Sequence, residues 1–331
     1  MRLLVTGGAG YVGSVVAAEL VRAGHRVTVL DDLSTGHADA VPPGVELITT
    51  SITEVDPVLA DGVDAVLHFA AKSLVAESMH SPQLYWQNNV AGTLALLESM
   101  RRHDVRRMVF SSTAATYGEP ASVPIEESAP ARPTNPYGAS KLAVDNMLTS
   151  YATAHGFSAV SLRYFNVAGA LLADDLAIGE RHDIETHLIP IALQVAAGQR
   201  EQLRIHGTHY PTPDGSCVRD YIHVLDLADA HLRALDWTGS RQHDHLICNL
   251  GSGAGSSVRE VLEAVRRITG HPTPATEGPN RPGDPAVLVA SNRLAWTELG
   301  WQPTRDLSQM VTDAWAFNRR LAPAGTGTPG A

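Results

Sequence analysis

The stretch GGAGYVG, residues 7–13, follows a short apolar run and opens a segment with helical spacing. Gly7, Gly10 and Gly13 match G-x-x-G-x-x-G, in which glycines permit a tight turn and let the backbone approach a pyrophosphate at the helix N-terminus. Asp31 ends the next apolar run, where a carboxylate accepts hydrogen bonds from both ribose hydroxyls and repels a 2′-phosphate. The stretch therefore predicts a dinucleotide site that prefers NAD to NADP.

Outward from this stretch, short apolar runs alternate with helical segments through the first 165 residues. The runs that predict strands are 3–7, 26–31, 45–49, 64–70, 107–112 and 159–165, and the helical segments are 11–24, 82–103 and 135–156. Near-continuous apolar strands that alternate with helices imply a parallel sheet covered on both faces. We therefore predict an α/β fold with a Rossmann-type doubly wound parallel sheet.

The alternation loosens after residue 165, where Gly, Pro and His become frequent and helices are predicted over 187–198 and 257–267. We divide the chain into a cofactor-binding domain, a smaller C-terminal α/β substrate-binding domain that forms one wall of a cleft, and a tail. The tail has no core-forming residues, so we expect it to be disordered. The corresponding ranges are 1–165, 166–320 and 321–331, with segments near 220–240 and 280–295 predicted to return to the first domain.

Composition argues against several classes of partner. The formal net charge of −10 leaves no basic block to meet the phosphates of a nucleic acid. Cys217 and Cys248 are too few for a disulfide framework or a cysteine-based zinc site, and they fit a reducing cytoplasm. No apolar run approaches the roughly 20 residues of a membrane helix, so we expect a cytoplasmic protein without membrane or nucleic-acid partners. The 15 histidines show no H-E-x-x-H or similar spacing, which predicts no metal site.

Tyr137 and Lys141 stand four residues apart in the predicted helix 135–156 and therefore share one face. A tyrosine has a pKa of about 10, and lowering it to about 7 takes roughly 4 kcal/mol, which one cation at about 4 Å can supply. A compact lysine suits this role, and two ribose hydroxyls, better than a planar guanidinium does. We predict that Tyr137 is the base, assisted by Lys141 and an oxidised nicotinamide, and that Thr113 hydrogen-bonds the same reacting oxygen. The alternatives are a surface Tyr–Lys pair and a threonine that only caps its turn.

With these features in this order, the chain resembles the extended short-chain dehydrogenase/reductases, and further stretches narrow the resemblance to the UDP-glucose 4-epimerase family. The resemblance covers residues 2 to about 316. The stretches that carry it are HFAAKSLVAES (68–78), NNVAGTLALLE (88–98), LRYFNVAGA (162–170), HGTHYPTPDGSCVRDYIHVLDLADAH (206–231), NLGSG (249–253) and RPGDPA (281–286).

This resemblance implies a tightly held NAD that is reduced and reoxidised in one turnover, while UDP-glucose and UDP-galactose interconvert through a 4-keto sugar. It also implies a place in galactose and nucleotide-sugar metabolism, and a homodimer formed through the helices at 82–103 and 135–156. The implied cofactor-binding residues are Gly7, Gly10, Tyr11, Val12, Gly13, Asp31, Asp32, Ser34, Ser51, Ile52, Phe69, Ala70, Ala71, Lys72, Asn88, Tyr137, Lys141 and Phe165. The implied substrate-binding residues are Thr113, Tyr137, Asn166, His187, Leu188, Tyr210, Arg219, Arg281, Asp284 and Leu288.

Some positions depart from the pattern of the family that the chain resembles. Ser51 stands where many members have Asp beside the adenine, and His187 replaces a common Asn. The cofactor-loop Lys of some members falls at Ser73, one residue after Lys72. Leu288 stands where glucose-restricted members have Tyr, which would leave room for an N-acetylated sugar. The alternative function is therefore a UDP-N-acetylglucosamine or dual-specificity 4-epimerase.

Two further functions fit the sequence less well. Nucleotide-sugar 4,6-dehydratases must also eliminate water, and they use an acid and a base where this chain has Ala114 and Ala115. Neither methyl group can transfer a proton. A non-catalytic dinucleotide sensor on the same fold would typically lack Tyr137 or Lys141, and this chain has both.

Overall fold

The computed structural model describes residues 1–182, 184–280 and 285–321, so Arg281, Asp284 and the tail after residue 321 lie outside the described residues. The described strands are β1 (Arg2–Thr6), β2 (Arg26–Asp31), β3 (Glu46–Thr49), β4 (Ala65–His68), β5 (Arg107–Thr113), β6 (Ser158–Tyr164), β7 (Asn166–Ala168), β8 (Ala170–Leu172), β9 (Ala177–Gly179), β10 (Leu203–His206), β11 (Val218–Arg219), β12 (Tyr221–His223), β13 (Asp244–Leu250), β14 (Ser256–Ser257), β15 (Ala275–Gly278) and β16 (Val287–Leu288). The described α-helices are α1 (Tyr11–Arg22), α2 (Asp56–Ala60), α3 (Val75–His80), α4 (Pro82–Tyr85), α5 (Gly92–Arg102), α6 (Pro136–His155), α7 (Leu188–Ala196), α8 (Val224–Ser240), α9 (Val258–Thr269), α10 (Arg293–Leu299) and α11 (Leu307–Leu321).

The central sheet has seven strands in the order β13-β6-β5-β4-β1-β2-β3, and every neighbouring pair is parallel. The strands predicted before residue 165 are all confirmed. Strand β13 was not recognised, because its sequence DHLICNL begins with two polar residues and has Asn249 near its end, in a region where the alternation is weak. The direction of winding changes between β1 and β4, which is the place where open α/β sheets bind ligands beyond the carboxyl ends of their strands.

Apolar side chains cover both faces of this sheet, which confirms the doubly wound architecture. On one face, the buried side chains of Val5 and Val109 belong to a cluster that includes Val16 of α1 and Leu227 of α8. On the other face, Leu4 and its neighbours pack with side chains from α5 and α6: Leu96, Leu97, Val144 and Leu148. Burying one such aliphatic side chain contributes about 1.5–3 kcal/mol, so the two clusters stabilise the sheet between two helical layers.

Two later segments pack against the first 165 residues. Helix α8 contacts α1, β5 and β6, and helix α10 contacts α8 and β13. Leu299 of α10 and Trp301 belong to the same buried cluster as α1. The chain therefore returns to the large sheet after leaving it, while the domain boundaries proposed from the sequence remain a prediction.

The small lobe consists of α7, α9 and α11 with the short sheets β10–β15 and β14–β11–β16. Its core joins Leu193 of α7, Val265 of α9 and Val311 of α11, all of them buried. The predicted helices over 187–198 and 257–267 correspond to α7 and α9. Within the described ranges, every helix is too short or too polar to span a lipid bilayer.

The single helix predicted over 82–103 is wrong in its middle. The structure has α4, then a π-helix over Trp86–Ala91, then α5. A π-helix bonds residue i to residue i+5, and apolar spacing in a sequence does not distinguish this wider turn from an α-helix. In this turn Asn88 lines the cleft described below and the adjacent Asn89 is only 2% exposed.

Candidate active site

A cleft of about 1060 Å³ lies at the carboxyl ends of the central strands and extends to the small lobe. It is large enough for a dinucleotide with a second ligand beside it, since single small-molecule pockets span roughly 300–1000 Å³. Leu188 and Tyr210 do not line the described cleft: Leu188 packs against the small-lobe core, and Tyr210 adjoins Gly207. The predicted site residues that do line it are Gly7, Gly10, Tyr11, Val12, Gly13, Asp31, Asp32, Ser34, Ser51, Ile52, Phe69, Ala70, Ala71, Lys72, Asn88, Thr113, Tyr137, Lys141, Phe165, Asn166, His187, Arg219 and Leu288.

The glycine turn between β1 and α1 is too crowded for side chains. Gly7 has φ +72°, and a Cβ on it would lie 2.4 Å from the backbone nitrogen of Ala70. A Cβ on Gly13 would lie 2.3 Å from the carbonyl oxygen of Gly7. Gly10 is the N-cap of α1, and a Cβ on it would lie 3.3 Å from its nearest atom, the Gly7 carbonyl oxygen. Packing within the protein therefore restricts this position less than it restricts Gly7 and Gly13. The turn presents bare backbone at a helix N-terminus, which is the arrangement that holds a pyrophosphate.

Asp31 is fixed by the same turn. Its Oδ2 accepts a hydrogen bond from the Ala9 N–H at 3.0 Å, and its Oδ1 accepts one from the Leu33 N–H at 2.9 Å. Burial raises the pKa of this carboxyl, and the two backbone hydrogen bonds oppose the rise. Each carboxylate oxygen can accept a second hydrogen bond, so Asp31 still has acceptor capacity for ribose hydroxyls.

The cofactor loop after β4 is held by Asn89, which the sequence analysis did not single out. The Asn89 side chain accepts from the Lys72 N–H at 2.8 Å and donates to the Lys72 carbonyl at 3.0 Å. It also donates to Ser140 Oγ of α6 at 3.0 Å. This buried amide therefore ties the loop to the helix that carries Tyr137. The only signal in the sequence was the pair Asn88–Asn89 in a helical stretch.

Helix α6 carries Tyr137 in its first turn. Asn135 is the N-cap, and its side chain accepts from the Gly138 N–H at 2.8 Å, while Pro136 occupies the first helical position. Both residue types are preferred at these positions because they satisfy or remove unpaired N–H groups. The cap places Tyr137 in the first turn and Lys141 one turn later, with both side chains in the cleft.

The environment of Tyr137 keeps its hydroxyl protonated when only the protein's own groups act on it. Burial raises the pKa of Tyr137, and a hydrogen bond with Thr113 opposes that rise. Thr113 also accepts from the Ala115 N–H at 3.2 Å, so it caps its turn, while its predicted hydrogen bond to the reacting oxygen stays a prediction. An additional positive charge is therefore needed to make Tyr137 a base, as the sequence argument assumed for an oxidised nicotinamide.

Lys141 is deeply buried and has specific partners. Its Nζ donates to the Ser111 carbonyl at 2.7 Å and lies 4.7 Å from the centre of the Phe110 ring. Burial lowers the pKa of Lys141 to about 7, against the attraction of Asp145 one helical turn further on. Asp145 in turn forms a buried ion pair with Arg163, 2.8 Å apart. The i,i+4 spacing of Lys141 and Asp145 was visible in the sequence, but the pairing with Arg163 was not.

The wall opposite the central sheet is fixed by Asp220, another residue that the sequence analysis did not assign. Its fully buried carboxylate accepts hydrogen bonds from Ser252 (N–H and Oγ) and from the N–H groups of Gly253 and Ala290, at 2.5–3.0 Å. The backbone carbonyl of Asp220 accepts from the Asn166 side chain at 3.1 Å. Its neighbour Arg219 pairs in register with Leu288, and both line the cleft.

His187 belongs to a group of ionisable side chains between β9 and α7. Its Nδ1 lies 2.5 Å from Glu180 Oε1 and 3.4 Å from Glu185 Oε1, and these carboxylates raise the pKa of His187 to about 10 against the effect of its burial. His182 joins the group, with its Nδ1 3.2 Å from Glu185 Oε2. The spacing of these histidines in the sequence matches no common metal motif, so their convergence was not predicted.

The chain is similar to known proteins along nearly its whole length. Residues 3–251 match the family described as the NAD dependent epimerase/dehydratase family. A UDP-glucose 4-epimerase of Streptomyces lividans is 58% identical over 322 residues, covering 96% of each chain, and one of Corynebacterium glutamicum is 55% identical over 324 residues, covering 97% of each. The crystal structure of a UDP-glucose 4-epimerase from Stenotrophomonas maltophila with bound NAD and formylated UDP-arabinopyranose superimposes with a TM-score of 0.93 at 38% identity, covering 98% of this chain and 100% of that one.

Proposed function

Because the chain belongs to the NAD dependent epimerase/dehydratase family, we propose that it interconverts UDP-glucose and UDP-galactose with bound NAD. The full-length similarity to UDP-glucose 4-epimerases supports this activity over others in the family. The observation that carries the proposal is the placement of Tyr137, Lys141 and Thr113 in one cleft with the glycine turn. A base, a cation and a dinucleotide-binding turn are the parts that oxidation of a sugar hydroxyl requires.

The residues of the cleft fit NAD. The crowded turn at Gly7 leaves bare backbone where a pyrophosphate would lie, and Asp31 has free acceptor capacity for a ribose. The loop Phe69–Lys72, held by Asn89, would form the other side of the cofactor site. When bound, NAD accepts a hydride from C4 of the sugar and returns it to the opposite face, so that no net oxidation results.

Within this scheme, the phenolate form of Tyr137 takes the proton of the sugar 4-hydroxyl, becoming the phenol, and later gives the proton back. Thr113 hydrogen-bonds Tyr137 and stands beside the reacting oxygen. Ala114 and Ala115 line the same part of the cleft, and their methyl groups cannot transfer a second proton. The site is therefore suited to removing and restoring one hydrogen at one carbon, and not to the elimination that a dehydratase performs.

The uridine diphosphate would lie against the wall that Asp220 fixes. Arg219 there suits a pyrophosphate because a guanidinium makes paired, charge-assisted hydrogen bonds. Asn166, His187 and Leu288 complete this part of the cleft. The proposal thus assigns residues 1–165 mainly to NAD and 166–320 mainly to the nucleotide sugar.

We also propose a cytoplasmic homodimer. The helices α3 to α5 and the π-helix between them expose several large apolar side chains: Val75 (44%), Met79 (59%), Leu84 (37%), Trp86 (43%) and Leu94 (43%). Exposed large apolar side chains on neighbouring helices are candidates for a protein–protein interface. The two-cysteine composition suits a reducing compartment.

The test measures conversion of UDP-galactose to UDP-glucose by the purified protein without added NAD or NADH. We expect turnover, together with NAD released on denaturation. Tyr137→Phe should keep bound NAD and lose roughly 10²–10⁴-fold in kcat, the usual contribution of a positioned proton-transfer group. Absence of turnover in a wild-type protein that contains NAD would contradict the proposed activity, and near-normal activity of the variant would contradict the role of Tyr137.

A further inference from the structure

Four side chains between β9 and α7 form what we call the Glu–His cluster: Glu180, His182, Glu185 and His187. Each offers one donor atom, and these atoms all lie within 4.8 Å of one another. The spacing E-x-H-x-x-E-x-H differs from familiar zinc motifs, and the strand–loop–helix connection brings the donors together. Glu180, His182 and His187 line the cleft, and the proposed proton and hydride transfers make no use of their convergence.

We propose that the Glu–His cluster binds one divalent transition-metal ion, with zinc as the best match. In a tetrahedral zinc site, bonds of about 2.0–2.1 Å place neighbouring donor atoms about 3.3 Å apart. His182 Nδ1 lies 3.2 Å from Glu185 Oε2 and 3.6 Å from Glu180 Oε1, and all four donor atoms lie within 4.8 Å of one another. Of the six donor pairs, the one between His187 Nδ1 and Glu180 Oε1, at 2.5 Å, would lengthen by less than 1 Å, and pairs as wide as 4.8 Å would shorten.

The donor set selects the class of ion. Two imidazole nitrogens with two carboxylate oxygens suit zinc and its transition-metal neighbours, whereas Mg²⁺ and Ca²⁺ prefer oxygen ligands alone. Four protein donors fill a tetrahedral shell and leave no position for substrate or water. The ion would therefore be structural and would take no part in hydride transfer.

One carboxylate is already oriented for this role. Oε1 of Glu185 accepts hydrogen bonds from the N–H groups of Thr186 and His187, at 2.7 and 2.8 Å, which leaves Oε2 directed at His182. Such outer hydrogen bonds are the usual means by which proteins orient metal ligands.

The charge balance of the Glu–His cluster is compatible with a dication. The side chains of Glu180 and Glu185 are only 9% and 3% exposed, and burying two carboxylates together is costly without positive charge. Arg181 lies between them in the sequence but forms an ion pair with Asp39 instead. The positive charge beside these carboxylates is that of His187, whose pKa they raise. A zinc ion would displace that proton, balance both carboxylates and tie the connection from β9 to the start of α7, where His187 meets the cleft.

The experiment uses untagged, full-length protein with its native NAD content. Elemental analysis should find about one zinc per chain, and a chelator followed by titration with Zn²⁺ should show saturable uptake of about one ion. Titration with Co²⁺ should produce the intense visible absorption of a tetrahedral site. These measurements need no substrate, so their failure is separate from failure of the proposed epimerase activity.

His182→Ala combined with Glu185→Gln should abolish saturable uptake of both metals. The matched control is His271→Ala with Glu263→Gln, which removes the same residue types from exposed positions near α9 and should bind as wild type does. Equal uptake by wild type and the cluster variant would overturn the proposal. A wild-type protein that shows neither saturable uptake nor the Co²⁺ spectrum would overturn it as well, whether or not the variants fold.

Discussion

At the scale of single residues, the site depends on two ionisable side chains that burial pushes toward their neutral forms. Burial raises the pKa of Tyr137 and lowers that of Lys141 to about 7. In these neutral forms, Tyr137 keeps its phenol proton and the amine of Lys141 is uncharged. A cationic ring next to Tyr137 would favour the phenolate, so the base is formed only when the cofactor is present. The sequence predicted Tyr137, Lys141 and Thr113 from their spacing and surroundings.

Lys141 should make folding stability depend on pH. Its pKa falls from 10.5 in the unfolded chain to about 7 in the fold, so between these values the unfolded state binds the extra proton. Stability from this group is therefore lost as pH falls toward 7 and is fully present above 10.5. The difference in free energy of unfolding between wild type and Lys141→Met should rise by about 1.4 kcal/mol per pH unit in that window. Denaturant titrations of NAD-free protein at several pH values would measure it.

The comparison variant for this prediction is Lys72→Met, which removes the chain's other lysine from the half-buried cofactor loop. If Lys72→Met and Lys141→Met show the same pH slope, burial of Lys141 is not the source of the effect.

Leu288 should influence which sugars are accepted. It lies on the cleft wall in β16, where a larger side chain would narrow the sugar pocket. Leu288→Tyr should lower kcat/KM for UDP-N-acetylgalactosamine relative to UDP-galactose by about tenfold or more, because pocket volume of this order discriminates by 1–3 kcal/mol. Parallel assays with the two sugars give the ratio, and an unchanged ratio would show that Leu288 does not set the limit.

At the scale of elements, the glycine turn and the π-helix show which parts of the site a sequence can predict. The turn was predicted because it is local: strand, glycines and helix follow one another. The clamp by Asn89 could not be predicted, because its partners Lys72 and Ser140 lie 17 and 51 residues away in the sequence. The same holds for Asp220, whose carboxylate accepts a hydrogen bond from the N–H of Ala290, 70 residues away in the sequence. Contacts of this kind depend on tertiary packing, which local spacing does not encode.

The glycines of the turn should differ in what they are needed for. Gly7→Ala combines a positive φ with a 2.4 Å clash against backbone, so it should cost roughly 2 kcal/mol or more of stability. Gly10→Ala, with 3.3 Å to its nearest atom, should fold well but bind NAD weakly, because its methyl group would occupy the pyrophosphate's place. Thermal unfolding and bound-NAD content would separate the two effects.

Gly24→Ala provides the control, since Gly24 has φ +84° with no atom within 4 Å of a Cβ. Its cost should be about 1 kcal/mol, from backbone strain alone. A loss at Gly7 no larger than that at Gly24 would mean that the loop at Ala70 yields to the extra methyl group.

At the scale of the whole molecule, the parallel sheet covered by helices on both faces follows from the alternation of apolar runs and helical segments in the first 165 residues. The small lobe and the cleft beside it begin where that alternation loosens. Of the later segments that pack against the large sheet, those near 220–240 and 280–295 were predicted, whereas β13 was not recognised. Strand β13 packs into the same buried cluster as α1 and α8, although its sequence mixes polar with apolar positions. The cleft is consequently bounded by residues from most of the chain's length.

The proposed dimer should be sensitive to charge on the exposed helices. Trp86→Glu with Leu94→Glu places two like charges on each copy's apolar face, so self-association should weaken by about 100-fold or more, as for interface hot spots. Sedimentation velocity across a concentration series would measure it. Trp296→Glu is the control, because Trp296 is 54% exposed on α10, away from that face. A wild-type protein that is monomeric, or a dimer lost equally in the control, would contradict this interface.

The position of β13 at the edge of the large sheet has a consequence for how such a protein can evolve. The strand follows the nucleotide-sugar wall in the chain, and α10 returns after the next excursion, so no single cut separates the half that faces NAD from the half that faces the sugar. Exchange of the C-terminal segment with that of a related protein would also replace β13, the edge strand of the large sheet. We therefore expect new sugar preferences to arise through point substitutions in the cleft wall, as proposed for Leu288, more readily than through exchange of whole domains.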